Sequence, residues 1–165
     1  MSPVNFIFYL FTLLAALGAT GILFSNNVFK SALYLLVTLV SIAALYALSF
    51  AEFLAVTQIL IYAGGITVII IFGIMLTTRI SGRPLLVKNT HILGGGIVGI
   101  GLFLLLVRYL PALPPLDRTL TPENISSIGL KIFSQYSLSF ELAGLLLLIA
   151  LIGAAVMTSH LKSKV

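Results

Sequence analysis

Five runs of the chain are apolar for the length of a lipid bilayer, and this leaves little choice of fold. A helix rising 1.5 Å per residue needs about 20 predominantly apolar residues to cross the hydrocarbon core. The runs that meet this test are Pro3 to Phe24, Phe29 to Phe50, Phe53 to Thr78, His91 to Leu110 and Ser137 to Met157. Inside hydrocarbon every peptide N–H and C=O must find a partner within the chain, which a single segment achieves only as a helix. The expectation is an all-α integral membrane protein with five transmembrane helices, forming one membrane domain over residues 1–165.

Composition agrees. Only 8% of the residues are charged, whereas a soluble domain carries about 25%. The net charge of +5 does not point to nucleic acid, because the basic residues sit at segment ends instead of forming one stripe. They read as anchors at the membrane surface. Cysteine is absent, which excludes disulfides, thiolate-held iron-sulfur clusters and thiolate zinc sites. The first apolar run exceeds the roughly 7 to 15 residues of a signal-peptide core, so it is expected to be retained as a helix.

The breaks between runs are chemically marked. Ser25, Asn26 and Asn27 form a turn with helix-capping side chains, and Arg79 to Asn89 combines charge, Gly and Pro. The long connection is residues 111–136, in which Thr121 and Pro122 suit an N-cap and first helical position, predicting a short surface helix from Thr121 to about Lys131. With the N-terminus outside, Lys30, Arg79, Arg83, Lys88, Lys162 and Lys164 fall on the cytoplasmic side. Arg108, Arg118 and Lys131 fall outside, as do all four acidic residues, Glu52, Asp117, Glu123 and Glu141. The bias predicts an outer N-terminus, a cytoplasmic C-terminus and an outer loop over 111–136.

A self-contained ion carrier keeps ionisable groups near the membrane midplane, where their cost demands a function. The middles of all five runs lack Asp, Glu, Lys, Arg and His. Glu141, about one turn into the last run, is either a carboxylate facing the headgroups or a protonatable group at the mouth of a polar path. His91 and His160 fall at run ends, without an acidic second shell, and read as interfacial instead of as haem or metal ligands. The string Gly94 to Gly99 matches a dinucleotide pattern by accident, since no strand precedes it. Gly95 and Gly99, one turn apart, suit close helix packing.

The third run is unusual. It holds Gln58 and Tyr62, then Gly64 and Gly65, then the branched stretch Ile66 to Ile71. At about 100° per residue, Gln58, Tyr62, Gly65, Ile69, Phe72 and Leu76 share one stripe, and Thr57, Gly64 and Thr67 another flank. Gln58 and Tyr62 are spaced to contact each other or a common water. Glycines and branched residues weaken a regular helix, which is tolerable at membrane depth only inside protein or beside water. A glycine notch for packing and an irregular helical turn are both compatible with this pattern.

Ala51 to Thr77, "AEFLAVTQILIYAGGITVIIIFGIMLT", resembles the third-helix signature of the subunit J family of proton-translocating NADH-quinone oxidoreductase, respiratory complex I, the family of mitochondrial NADH dehydrogenase subunit 6. "NNVFKSALYLL" (Asn26 to Leu36) and "IGLKIFSQYSLSFELAGLLLL" (Ile128 to Leu148) fit the same family in order and spacing. The resemblance implies a structural and gating subunit of the membrane arm that couples quinone reduction to proton translocation. It implies no cofactor in this chain, with FMN, iron-sulfur clusters and quinone elsewhere in the complex. The implied partners are the quinone-site, small helical and antiporter-like subunits and the lipid bilayer; the implied location is the bacterial inner (plasma) membrane, or an organellar energy-coupling membrane. It further implies a π-bulge at Gly64 to Ile70, beside Tyr62, with Gln58, Tyr62, Gly64, Gly65 and Glu141 along the coupling or proton path. Some relatives carry a carboxylate where this chain has Gln58, which supports a water chain but cannot relay a proton itself. The alternatives are the equivalent subunit of a multisubunit cation/proton antiporter or membrane-bound hydrogenase, and a small standalone transporter.

Overall fold

The computed structural model describes residues 3–81, 92–110 and 124–162. Its elements are α1 (Pro3–Phe24), α2 (Val28–Leu48), α3 (Glu52–Thr57), a π-helical segment (Gln58–Thr67), α4 (Val68–Ser81), α5 (Ile92–Tyr109), α6 (Ile125–Ser134) and α7 (Ser137–Lys162). The segments α3, π and α4 follow without a break and form one span. Four helices among the described residues are long and apolar enough to cross a membrane: α1, α2, this composite span and α7. The fourth predicted run folds as the 18-residue α5, about 27 Å at 1.5 Å per residue against roughly 30 Å of hydrocarbon. His91, at its predicted start, lies outside the described residues.

The chain packs as two compact units that divide between Asp117 and Arg118. In the first, α1 and α2 meet as a hairpin, and the composite span packs on α2. The hairpin turn is built as its sequence suggests. Asn27 Oδ1 accepts from the backbone N–H groups of Phe29 (3.0 Å) and Lys30 (3.3 Å), and Ser25 Oγ donates to the Asn27 carbonyl. Two first-turn amides of α2 are thereby satisfied.

The hairpin closes over Gly18 and Gly21. A Cβ at Gly18 would lie 3.0 Å from the Tyr34 carbonyl oxygen and 3.2 Å from the Thr38 nitrogen, and would collide with Thr38 Oγ1. At Gly21 it would come within 2.8 Å of the Tyr34 ring. Only glycine lets these backbones approach so closely. Where α2 ends, the Ala51 N–H donates to the Tyr46 carbonyl and the Phe50 N–H to the Ala47 carbonyl, the paired bonds of a Schellman cap. The position that usually takes glycine there is Phe50, at φ 58°, a left-handed conformation costing a non-glycine residue about 1 kcal/mol or more. This cap stops α2 at Leu48, short of the Phe50 suggested by apolarity alone.

In the second unit α6 begins at Ile125 with Asn124 as its cap, accepting from Ser126 N–H, and runs to Ser134. The surface helix expected from Thr121 is thus shifted, and Thr121 and Pro122 lie outside the described residues. A two-residue turn leads into α7, where Phe133 and Phe140 meet edge to face with ring centroids 4.9 Å apart.

Candidate functional site

The composite span begins as an ordinary α-helix. Glu52 stands in its first turn, where the helix dipole favours an acid. Threonine hydroxyls then report the backbone register along the span. Thr57 Oγ1 donates to the Phe53 carbonyl four residues back (2.8 Å), as hydroxyls in α-helices commonly do. Thr67 Oγ1 instead donates to the Tyr62 carbonyl five residues back, at 2.7 Å. Thr77 Oγ1 returns to the four-residue step, bonding Gly73 at 2.8 Å. The register slips between Thr57 and Thr77, and the π segment, Gln58–Thr67, is where it does so.

Its length, ten residues, exceeds the single turn of most π-bulges. Relative to the expected stretch of Gly64 to Ile70, it starts six residues earlier and ends at Thr67, so the branched residues Val68 to Ile71 are already α-helical. Packing explains the boundary. Thr67 is fully buried, in the part of the span that lies on α2. There its hydroxyl has to find an acceptor within the chain.

At Gly64 and Gly65 the surroundings differ from those at Gly18 and Gly21. A Cβ on Gly64 would meet the Ile59 carbonyl oxygen at 3.1 Å, and one on Gly65 the Leu60 carbonyl oxygen at 3.4 Å. Each acceptor is five residues back in the same helix. Among the described residues no atom of a neighbouring helix comes within 4 Å of either Cβ position. Among the described residues, then, the pair forms no notch for another helix. It relieves crowding inside the π turn itself, more at Gly64 than at Gly65.

The face toward α2 is made of small side chains, with Ala55, Ala63 and Thr67 buried and Ser41 and Ala43 buried on α2. Tyr62, by contrast, is 46% exposed, and Ile69, Phe72 and Leu76 beyond it are exposed as well. Gln58 is half-buried. No hydrogen bond joins the Gln58 and Tyr62 side chains, because an i→i+5 turn holds one more residue than an α turn and a residue four places on falls short of alignment. The stripe drawn at α-helical spacing therefore breaks at the π segment.

Glu141 lies exposed on α7, in the second unit, and Gly64, Gly65, Gln58 and Tyr62 lie in the first. Among the described residues nothing lies within 4 Å of a Cβ added at Gly95 or Gly99 on α5. His160 belongs to the last turns of α7. Among the described residues no group of three or more His, Cys, Asp or Glu side chains is placed to hold a metal ion. Sequence reading missed Gly18, Gly21 and Ala63. The signal for the first two was present in "LGATG", small residues on one face of α1.

Fold and site together define a multi-pass helical membrane protein whose third span is interrupted by a π-helical turn with one covered and one uncovered face. The chain belongs to the NADH-ubiquinone/plastoquinone oxidoreductase chain 6 family, whose model matches residues 18–157, from the hairpin glycines through most of α7. It is 40% identical to the chloroplastic NAD(P)H-quinone oxidoreductase subunit 6 of Chara vulgaris, over 93% of this chain and 90% of that one. Identity to NAD(P)H-quinone oxidoreductase chain 6 of Leptolyngbya boryana is 39%, covering 89% and 77%. A relative from Methanosarcina mazei, F(420)H(2) dehydrogenase subunit J, is 33% identical over 92% of this chain and 88% of its own length.

Proposed function

We propose that the chain is a membrane-arm subunit of a complex I type NAD(P)H-quinone oxidoreductase and acts there as a structural and gating element linking quinone reduction to proton translocation. The observation that carries this reading is the π segment, with Thr67 bonded five residues back and Gly64 and Gly65 crowded only by their own helix. Removing one residue's worth of slip would turn α4 by about 100° relative to α3 and advance it by about 1.5 Å. Ile69, Phe72 and Leu76 would then face different neighbours, while Thr67 Oγ1 could bond the Ala63 carbonyl in α register. Two arrangements separated by only about 1.4 kcal/mol differ tenfold in population, so a small bias from a neighbouring subunit suffices.

In this role Gln58 and Tyr62 support a water path on the uncovered face, and the proton-carrying carboxylates belong to partner subunits. Glu141, about one turn into α7, serves in this reading as the protonatable group of this chain. The chain holds no cofactor, and FMN, iron-sulfur clusters and quinone reside on other subunits. Its partners are the quinone-site, small helical and antiporter-like subunits, with Gly95 and Gly99 packing against one of them. The full topology has α5 as a fourth of five spans, an outer N-terminus and a cytoplasmic C-terminus, in a bacterial plasma membrane or an organellar one. The Methanosarcina relative favours leaving the electron donor to other subunits, since its name carries F420H2 in place of NAD(P)H.

Purification through a tag on this chain tests the assignment: dehydrogenase and quinone-reductase subunits should accompany it, and antiporter subunits alone would overturn it. Liposomes holding only this chain should show no saturable proton flux. One-sided reporters fused after Val165 and within residues 111–136 should report opposite sides.

A further inference from the structure

The turn between α1 and α2 carries an open cavity of about 350 Å³, lined by Gly21, Phe24, Ser25, Asn26, Asn27, Lys30 and Tyr34. We infer that this cavity holds the phosphate of an anionic membrane lipid. Ser25 and Asn27 are already engaged in the hairpin turn and the helix cap. The Asn26 carboxamide, the Lys30 ammonium and the Tyr34 hydroxyl have no hydrogen-bond or ion-pair partner among the described residues. Lys30 and Tyr34, four apart, lie on one face of α2. Three residues with donor groups, one of them charged, therefore line one hollow that no acidic residue lines. This is the donor set of an anion site, and the capped amides of α2 are not needed for it.

The shape is built by the hairpin glycine. With no Cβ at Gly21, the Tyr34 ring lies against α1 and forms one wall of the cavity. The position selects the source of the anion. Both helices that meet at this turn span the membrane by length and composition, so their joined ends lie at the level of the lipid headgroups. Phe24, 79% exposed beside the donors, offers the apolar contact that an acyl chain supplies and a free phosphate ion does not.

The test uses the purified assembly carrying this chain, reconstituted into phosphatidylcholine vesicles with a trace of photoactivatable phosphatidylglycerol or photoactivatable phosphatidylcholine, followed by peptide mapping. The phosphatidylglycerol probe should label the peptide containing Phe24 to Tyr34 well above the phosphatidylcholine probe. Lys30→Gln should lower that labelling about fivefold, the usual weight of one basic residue at an anionic surface. Asn26→Ala should lower it less, and added sodium chloride should weaken it in the unmodified chain, so the test stands even if the Lys30 variant assembles poorly. Equal labelling by the two probes, or labelling indifferent to both substitutions and to salt, would overturn the site. Loss of phosphatidylglycerol labelling in millimolar inorganic phosphate would overturn the lipid assignment in favour of a soluble anion.

Discussion

Two glycine pairs within apolar spans, Gly18 with Gly21 and Gly64 with Gly65, do opposite things in the structure. The first pair is pressed against another helix: an added Cβ would strike the backbone and side chains of Tyr34 and Thr38. The second, among the described residues, is crowded only by carbonyl oxygens of its own helix. One pair fixes where two helices lie. The other lets a single helix change its own pitch, because glycine removes both the Cβ crowding and part of the preference for regular helix. A glycine in a membrane helix is thus informative only once its nearest foreign atom is known.

The largest effect should come from filling the first pair. Gly18→Leu forces several heavy atoms into space bounded by the Tyr34 carbonyl, which is backbone and cannot step aside. Overpacking costs about 1 to 3 kcal/mol, and this site belongs at the upper end. The expected outcome is sharply reduced abundance of the chain and its complex in membranes, measured by immunoblot and native gel. At Gly65, among the described residues, no atom of another helix lies within 4 Å of an added Cβ, so the hairpin should survive the same change. If Gly65→Leu removes the complex while the isolated chain still accumulates, a partner subunit packs on that face; if both variants behave alike, the contrast between the pairs fails.

A subtler intervention separates pitch from packing. Gly65→Ala places its Cβ at 3.4 Å from the Leu60 oxygen, an ordinary contact, while alanine favours regular α-helix over glycine by about 1 kcal/mol. Assembly should stay normal and the balance should move toward α register by roughly fivefold. Protons translocated per quinone reduced, measured in sealed vesicles with matched complex content, should change. An unchanged ratio at normal abundance would mean that the pitch of this segment does not control coupling.

How much of this the sequence disclosed depends on whether the cause was local. Four of the five predicted spans were legible because hydrocarbon demands length and apolarity, and both are counted residue by residue. The Asn27 cap was legible for the same reason. The end of α2 was not, because the Schellman cap places Phe50 where a glycine would have announced it. At the candidate site, composition showed that Gly64, Gly65 and their branched neighbours weaken a helix, but not which turn would yield. That boundary rests on Thr67 being buried in the part of the span that packs on α2, a tertiary fact. Thr67 was placed on a flank with Thr57 and Gly64, but the burial of Ala55 and Ala63 was hidden, since alanine suits any helix face and only a neighbour distinguishes it.

Thr67 offers a third, smaller test. Thr67→Val keeps the branched shape and deletes the hydroxyl bonded to the Tyr62 carbonyl. One buried hydrogen bond is worth about 1 kcal/mol net, so a modest fall in the thermal midpoint of the complex is expected. The hydroxyl has an acceptor in either register, Tyr62 in the π form and Ala63 in the α form, so the loss should fall on both. The proton ratio should therefore move less than in Gly65→Ala. A larger shift than in Gly65→Ala would show that the hydroxyl holds the π register selectively.

The smallest effect on stability, and the finest probe of the comparison, belongs to Tyr62→Phe. The ring is 46% exposed, and its hydroxyl has no hydrogen-bond partner among the described residues, so deleting the oxygen removes no bond within this chain. Assembly and thermal stability should match the parent closely, in contrast to any substitution at Gly18. What the hydroxyl offers lies outward, toward a neighbouring subunit or a water on the uncovered face. If the π segment gates a water path there, turnover with quinone should continue while proton translocation falls, because the wire loses a donor while the redox groups keep theirs. Should both activities stay at parental levels, Tyr62 is a lipid-facing or packing aromatic and the water path runs elsewhere. Should both fall with loss of the complex, the hydroxyl makes a bond that assembly requires, and the uncovered face of the third span joins the Gly18 hairpin as a packing surface.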